Sequence, residues 1–292
     1  MKVKRSIRLV AVLPSAITLM NGFFGVSAIF IAGVAPNLRY HFPMLSRVNL
    51  SFPSISAWLI IFSMVADALD GSVARASGSS SKFGAQLDSL CDVVSFGVAP
   101  AFLAYNLFAL ELANLFRDEI RFSSFIGRWV LFCAVLYALC ALVRLARFNV
   151  ETDDDAASHM SFAGLPSPAA AGLIVSLVLF HEQFSSIFII RLSLLGSAVP
   201  DVLRSISLWC IPFFLLLSGL LMVSRITYPH IVNQMLRRRK SFTVLVLTLF
   251  IGLFAIWNIH ISLLLGFLFF CLYGVFRKLT KTLKRGRKKD SQ

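Results

Sequence analysis

The sequence predicts an all-α protein, a polytopic bundle of about eight membrane-spanning helices. Three observations carry this prediction. Of 292 residues, 58% are hydrophobic and only 14% are charged, well below the charged share of a soluble domain. Mean hydropathy is +0.80, and several apolar runs reach the roughly 20 residues that cross a bilayer as a helix. Those runs are continuous rather than alternating, which argues against a β-barrel and leaves helices as the way to satisfy the backbone in lipid.

The spans follow in order. The first covers 14–35, after Pro14. The segment before it sets Val3, Ile7 and Val10 at helical spacing against Lys4, Arg5 and Arg8, the pattern of a stretch lying in the interface. A basic start and an apolar run also fit a secretory signal, but this run is too long and reads as a retained first helix. Spans two and three cover 54–75 and 84–108, joined by the short loop ASGSSSK. Spans four, five and six cover 128–147, 164–181 and 206–225. Spans seven and eight cover 242–257 and 260–276, with a tight turn at Asn258. The acidic run Glu151, Asp153, Asp154 and Asp155 reads as a solvated loop. The expected division is a membrane domain at 1–230, an additional C-terminal hairpin at 231–276 and a basic tail at 277–292.

Net charge is +14, and the basic residues are clustered at Lys2 to Arg8, Arg237 to Lys240 and Arg277 to Lys289. Eight spans put both ends on one side. With that side cytoplasmic, only seven of the 28 lysines and arginines fall outside: Arg39, Arg47, Arg117, Arg121, Arg128, Arg191 and Arg204. That bias predicts a multi-pass inner-membrane protein with both termini in the cytoplasm. The basic clusters read as anchors on anionic lipid, with no nucleic-acid partner expected. The five cysteines all fall in apolar stretches without a CxxC pair and read as free core thiols.

The chemistry lies where the oily pattern breaks. Only ten aspartates occur in the chain, and four of them, Asp67, Asp70, Asp88 and Asp92, fall within 26 residues. On insertion scales a carboxylate at the centre of a membrane helix costs about 2.5–3.5 kcal/mol, so four would cost on the order of 10 kcal/mol if additive. Bound cations offset that cost. Asp67, Asp70, Gly71 and Ala74 share one helix face, and Asp88 and Asp92 are one turn apart on the next helix. Two facing helices thus converge four carboxylates near the cytoplasmic face. An all-oxygen donor set without His or Cys suits two Mg²⁺ or Mn²⁺ ions, with open positions for substrate phosphates. Gly71 and Gly84 leave room for a bulky ligand, Ala74 keeps the face low, and Arg75 is placed to meet phosphate oxygens.

The full pattern, D-x2-D-G-x2-A-R-x8-G-x3-D-x3-D, resembles the signature of the CDP-alcohol phosphatidyltransferase family at every position. The resemblance implies a site that binds the diphosphate of a CDP-linked lipid through two divalent metals. It assigns Asp67, Asp70, Asp88 and Asp92 to the metals, Asp92 also as the base toward the alcohol, and Gly71, Ala74, Arg75 and Gly84 to CDP. SFGVAPA (95–101), RLARFN (144–149), FAGLPSPAAAG (162–172) and LMVSRITYP (221–229) are similar to the branch of the family whose acceptor is L-serine and whose donor is CDP-diacylglycerol. That resemblance spans roughly residues 10–230, and a homodimer is implied by it alone. Cys91 departs from the small residue expected there. Arg144 and Arg147, at i and i+3, with Asn149, are candidates for holding the serine carboxylate, against a reading of both arginines as ordinary cytoplasmic anchors. Ser95, Thr18 and Asn21 are further polar candidates for the pocket or for helix contacts. Two alternatives stand: a sister enzyme using glycerol phosphate, inositol phosphate or choline, and a cation transporter, whose site would lie near the bilayer midplane.

Overall fold

The computed structural model describes residues 2–34, 51–77, 82–116, 125–154, 164–186, 198–226, 228 and 258–289. All regular structure among them is helical: α1 (Lys2–Gly33), α2 (Phe52–Ser77), α3 (Lys82–Asp92), a π-helical turn (Val93–Val98), α4 (Ala99–Phe116), α5 (Phe125–Asp154), α6 (Ser167–Ser186), α7 (Ala198–Val223) and α8 (Ile259–Lys289). Six stretches are long and apolar enough to cross a membrane: Ser15–Gly33, Phe52–Val73, Phe83–Ala113, Phe125–Val150, Val202–Val223 and Ile259–Lys278. The chain is a multi-pass membrane protein. The expected fifth span, 164–181, falls on α6, which is not one of these six stretches. The expected seventh, 242–257, lies outside the described residues.

The first span, expected at 14–35, lies within α1 at Ser15–Gly33, and α1 also continues before Pro14. A proline removes one backbone hydrogen bond, and here the residues on both sides stay helical. The acidic run expected as a loop instead extends α5 to Asp154. At 1.5 Å per residue, the 30 residues of α5 span about 45 Å, longer than the roughly 30 Å hydrocarbon core, so its acidic end can project beyond lipid. The third span is interrupted by a π turn directly after Asp92. Tyr137 of α5, fully buried, donates its hydroxyl to the Phe96 carbonyl in that turn at 3.0 Å.

The core is organised around α6, where every residue from Ala170 to Leu179 is buried. A helix apolar on all sides belongs inside a bundle, and α6 touches α2, α4, α7 and α8. Its one hydroxyl in that stretch, Ser176, donates to the Leu173 carbonyl at 3.0 Å. The C-terminal helix is seated on this core. Gly172 leaves space for the Phe267 ring, and Gly274 for the Tyr228 ring. Tyr228 donates to the Cys271 carbonyl at 3.3 Å. Burial pushes its phenol up to about 12, which keeps it a neutral donor.

Polar groups at the far end of α4 tie three helices together. Arg204 of α7 meets Glu111 of α4 at 2.6 Å, with His181 of α6 4.0 Å from the other carboxylate oxygen. The 19 residues from Asp92 to Glu111 put this cluster about 28 Å along the helix from the aspartates.

At the aspartate end, α1 lies unusually close to its neighbours. A Cβ on Gly22 would sit 2.8 Å from Cys91 Sγ, and one on Gly25 would sit 2.8 Å from Ser95 Cα. Gly22 thus makes room for the larger Cys91, the one departure from the small residue expected there. A Gly25→Val protein is expected to lose about 1–3 kcal/mol of stability through overpacking, read as a lower melting temperature in detergent. An unchanged melting temperature would contradict the close approach.

Candidate active site

The last turns of α2 and the body of α3 form the site. Asp67 and Asp70 are one turn apart on α2, and Asp88 faces them from α3. Each of the three offers a carboxylate oxygen within 4.8 Å of the others. Asp70 is only 4% exposed. One of its oxygens, Oδ2, and Asp88 Oδ1 are buried without a hydrogen-bond partner in the protein. The Thr18 side chain of α1 and the Gly71 backbone lie beside the Asp70 carboxylate. Like charges packed this closely in a low dielectric do not stay ionised without cations or protons. Two buried oxygens without partners, on members of an all-carboxylate cluster, fit a hard divalent cation.

The fourth aspartate stands beside this set rather than in it. Asp92 Oδ1 accepts a 3.0 Å hydrogen bond from Asn21 Nδ2 of α1. Its charge acts on Asp67, Asp88 and Asp70. Gly71 follows Asp70 directly, and Gly84 lies in the first turn of α3; both are half-buried. Ala74 and Arg75 continue α2 toward Ser77, and their side chains lie outside the described residues.

The basic side of the site comes from α5. Arg144 lies within electrostatic reach of Asp92 and Asp67 and donates to Ser167 Oγ at 2.6 Å. Arg147 is half-buried one turn on. Asn149 accepts a 3.0 Å hydrogen bond from Ser89 Oγ, which ties the end of α5 to α3 between Asp88 and Asp92.

Sequence reasoning missed Ser167, although its segment FAGLPSPAAAG was noted. Its placement depends on Gly164, which adopts φ +97°, a left-handed conformation that favours glycine. From there Gly164 N–H donates to the Ile226 carbonyl at 2.9 Å and Leu165 N–H to the Leu221 carbonyl at 3.0 Å. The segment is pinned against the end of α7, and α6 starts with Ser167 buried beneath Arg144. Ser63 was also missed. It lies one turn before Asp67 and donates to Asn21 Oδ1.

Comparison with known proteins places this geometry in context. The profile of the CDP-alcohol phosphatidyltransferase family matches residues 11–199. A Helicobacter pylori protein named CDP-diacylglycerol–serine O-phosphatidyltransferase is 30% identical over 258 residues, covering 84% of this chain and 89% of the relative. Proteins of the same name from Methanocaldococcus jannaschii and Saccharomyces cerevisiae are similar over shorter stretches. The first is 37% identical over 176 residues, 60% of this chain and 64% of the relative. The second is 35% identical over 166 residues, 55% and 51%.

Proposed function

This chain belongs to the CDP-alcohol phosphatidyltransferase family and is a transferase; from that premise we propose that it moves the phosphatidyl group of CDP-diacylglycerol to L-serine, yielding phosphatidylserine and CMP. The observation that carries the site assignment is the convergence of Asp67, Asp70 and Asp88 with two buried oxygens lacking partners. The acceptor rests on the relatives, named for serine transfer in a bacterium, an archaeon and a yeast.

Asp67, Asp70 and Asp88, with Asp92 alongside, would hold two Mg²⁺ or Mn²⁺ ions, which when bound neutralise the diphosphate and stabilise charge on the departing CMP. Gly71, Ala74 and Gly84 leave the face low enough for the CDP moiety, and Arg75 meets its phosphate oxygens. Asp92 takes the proton of the serine hydroxyl. The serine oxygen bonds to the lipid-side phosphorus as the bond from that phosphorus to the bridging oxygen breaks, and CMP departs with that oxygen. A carboxylate is a weak base for an alcohol, so its placement beside the reacting oxygen matters more than its ordinary basicity.

Arg144 holds the serine carboxylate, with Arg147 and Asn149 beside it. Its bond to Ser167 supports the reading, because it fixes one edge of the guanidinium and leaves further N–H groups to face the site. Residues 1–230 form the transferase domain, and 231–276 an added hairpin ahead of the basic tail. The site and both termini face the cytoplasm, the acyl chains enter sideways between helices, and the protein works as a homodimer.

Purified protein supplied with CDP-diacylglycerol and isotopically labelled serine should produce labelled phosphatidylserine; no labelled lipid would refute the assignment. Arg144→Ala should raise the serine KM by about tenfold to a hundredfold, the value of a charge-assisted hydrogen bond, and the KM for the lipid much less. Equal changes in both constants would misplace the serine pocket.

A further inference from the structure

We infer that Asn21 of α1, held by Ser63 of α2, is a positioning residue that fixes the rotamer of Asp92. The inference rests on the base role proposed above for Asp92.

Asn21 is 0% exposed, and three helical segments converge on it. Its side-chain amide nitrogen donates to Asp92 Oδ1 at 3.0 Å. Its side-chain oxygen accepts from Ser63 Oγ, itself 0% exposed. Its backbone carbonyl accepts from Ser95 Oγ at 3.1 Å, in the π turn just beyond Asp92. Every polar side-chain atom of Asn21 therefore has work inside the protein.

The direction of this relay follows from chemistry. An ionised carboxylate only accepts hydrogen bonds, so the nitrogen of Asn21 must face Asp92. The Ser63 hydroxyl then donates to the remaining oxygen. Were Ser63 absent, the amide would lose the partner that disfavours turning over, and its oxygen would be able to swing toward the carboxylate. Groups that orient the residues around a metal site act in this way, without touching the reactants themselves.

The π turn supplies the second half of the device. It follows Asp92 directly and is fastened from both sides, by Ser95 to α1 and by Tyr137 to the Phe96 carbonyl. π turns interrupt the regular ladder and recur at functional sites. Here the turn sets the Asp92 end of α3 against Asn21, while Gly22 and Gly25 bring α1 close enough for the amide to reach.

A double-mutant cycle on full-length protein in detergent tests the relay, with kcat and both KM values measured for Asn21→Ala, Ser63→Ala and the pair. Each single variant should lower kcat by about tenfold to a hundredfold, with both KM values within about twofold. In the Asn21→Ala background, Ser63→Ala should cost nothing further, because its only route to Asp92 has gone. Additive losses would overturn the inference, as would raised KM values with kcat unchanged, the result expected if Asn21 contacts substrate instead. Ser63→Ala removes a single oxygen and keeps the test open should Asn21→Ala fail to fold. A silent Asp92→Asn protein beside a fully active Asn21→Ala protein would overturn this inference alone. A fully active Asp92→Asn protein would overturn the base assignment and this inference with it.

Discussion

Asp92→Asn protein folds normally and loses turnover, with kcat lower by about 10²–10⁴-fold, the usual contribution of a positioned general base. The substitution is nearly isosteric, so the packing of α3 against α1 should survive. An asparagine still meets Asn21, since one amide oxygen can accept from the other amide nitrogen. What vanishes is the capacity to take a proton from serine. The KM for CDP-diacylglycerol should change little, because Asp67, Asp70 and Asp88 form the compact cluster without Asp92. The measurement is steady-state CMP release alongside a melting curve. Full turnover in a folded Asp92→Asn protein would remove this residue as the base.

Chelation should have an effect as large. EDTA should bring CMP release to background, and added Mg²⁺ or Mn²⁺ should restore it. The cause lies in the protein as much as in the reaction. Asp70 Oδ2 and Asp88 Oδ1 are buried without a partner, and Asp67 and Asp70 both repel neighbouring carboxylates. A divalent ion that binds only the folded chain also stabilises it, by about 2.7 kcal/mol at a hundred times its Kd. Melting temperature should therefore rise with added Mn²⁺ in the wild type and rise less in Asp70→Asn. Metal-independent turnover, or a melting temperature blind to Mn²⁺ in both proteins, would contradict a cation site at these carboxylates.

The aspartate pattern was legible in the sequence because it is local. Helical spacing alone puts Asp67 on the face of Asp70, and Asp88 on the face of Asp92, and a short loop brings the two helices together. Six of the eight expected apolar runs recur as span-length helices among the described residues, and they were legible for a similar reason, since lipid leaves the backbone few choices. What escaped depends on long-range contact or on local irregularity. Arg144 was singled out by its charge and depth, but its partner Ser167 lies 23 residues away and is positioned through the positive φ of Gly164. The bond between Asn21 and Asp92 joins residues 71 apart, and no periodicity points to it. Thr18 and Asn21 stood out as polar residues in an apolar helix; Ser63 did not, because a lone serine is common in membrane helices. The π turn after Asp92 has no sequence signal in an otherwise continuous apolar run. The solvated-loop reading failed at Glu151, Asp153 and Asp154, which are helical, because charge alone does not end a helix; Asp155 lies outside the described residues.

The most direct test of the account is CMP release by purified protein from CDP-diacylglycerol, with L-serine, glycerol phosphate, inositol phosphate and choline supplied in turn. The account predicts release with serine alone, matched by phosphatidylserine formed, and abolished by EDTA. Release with another alcohol and not with serine would contradict the assigned acceptor, and release that persists in EDTA would contradict the carboxylate site on which the chemistry rests.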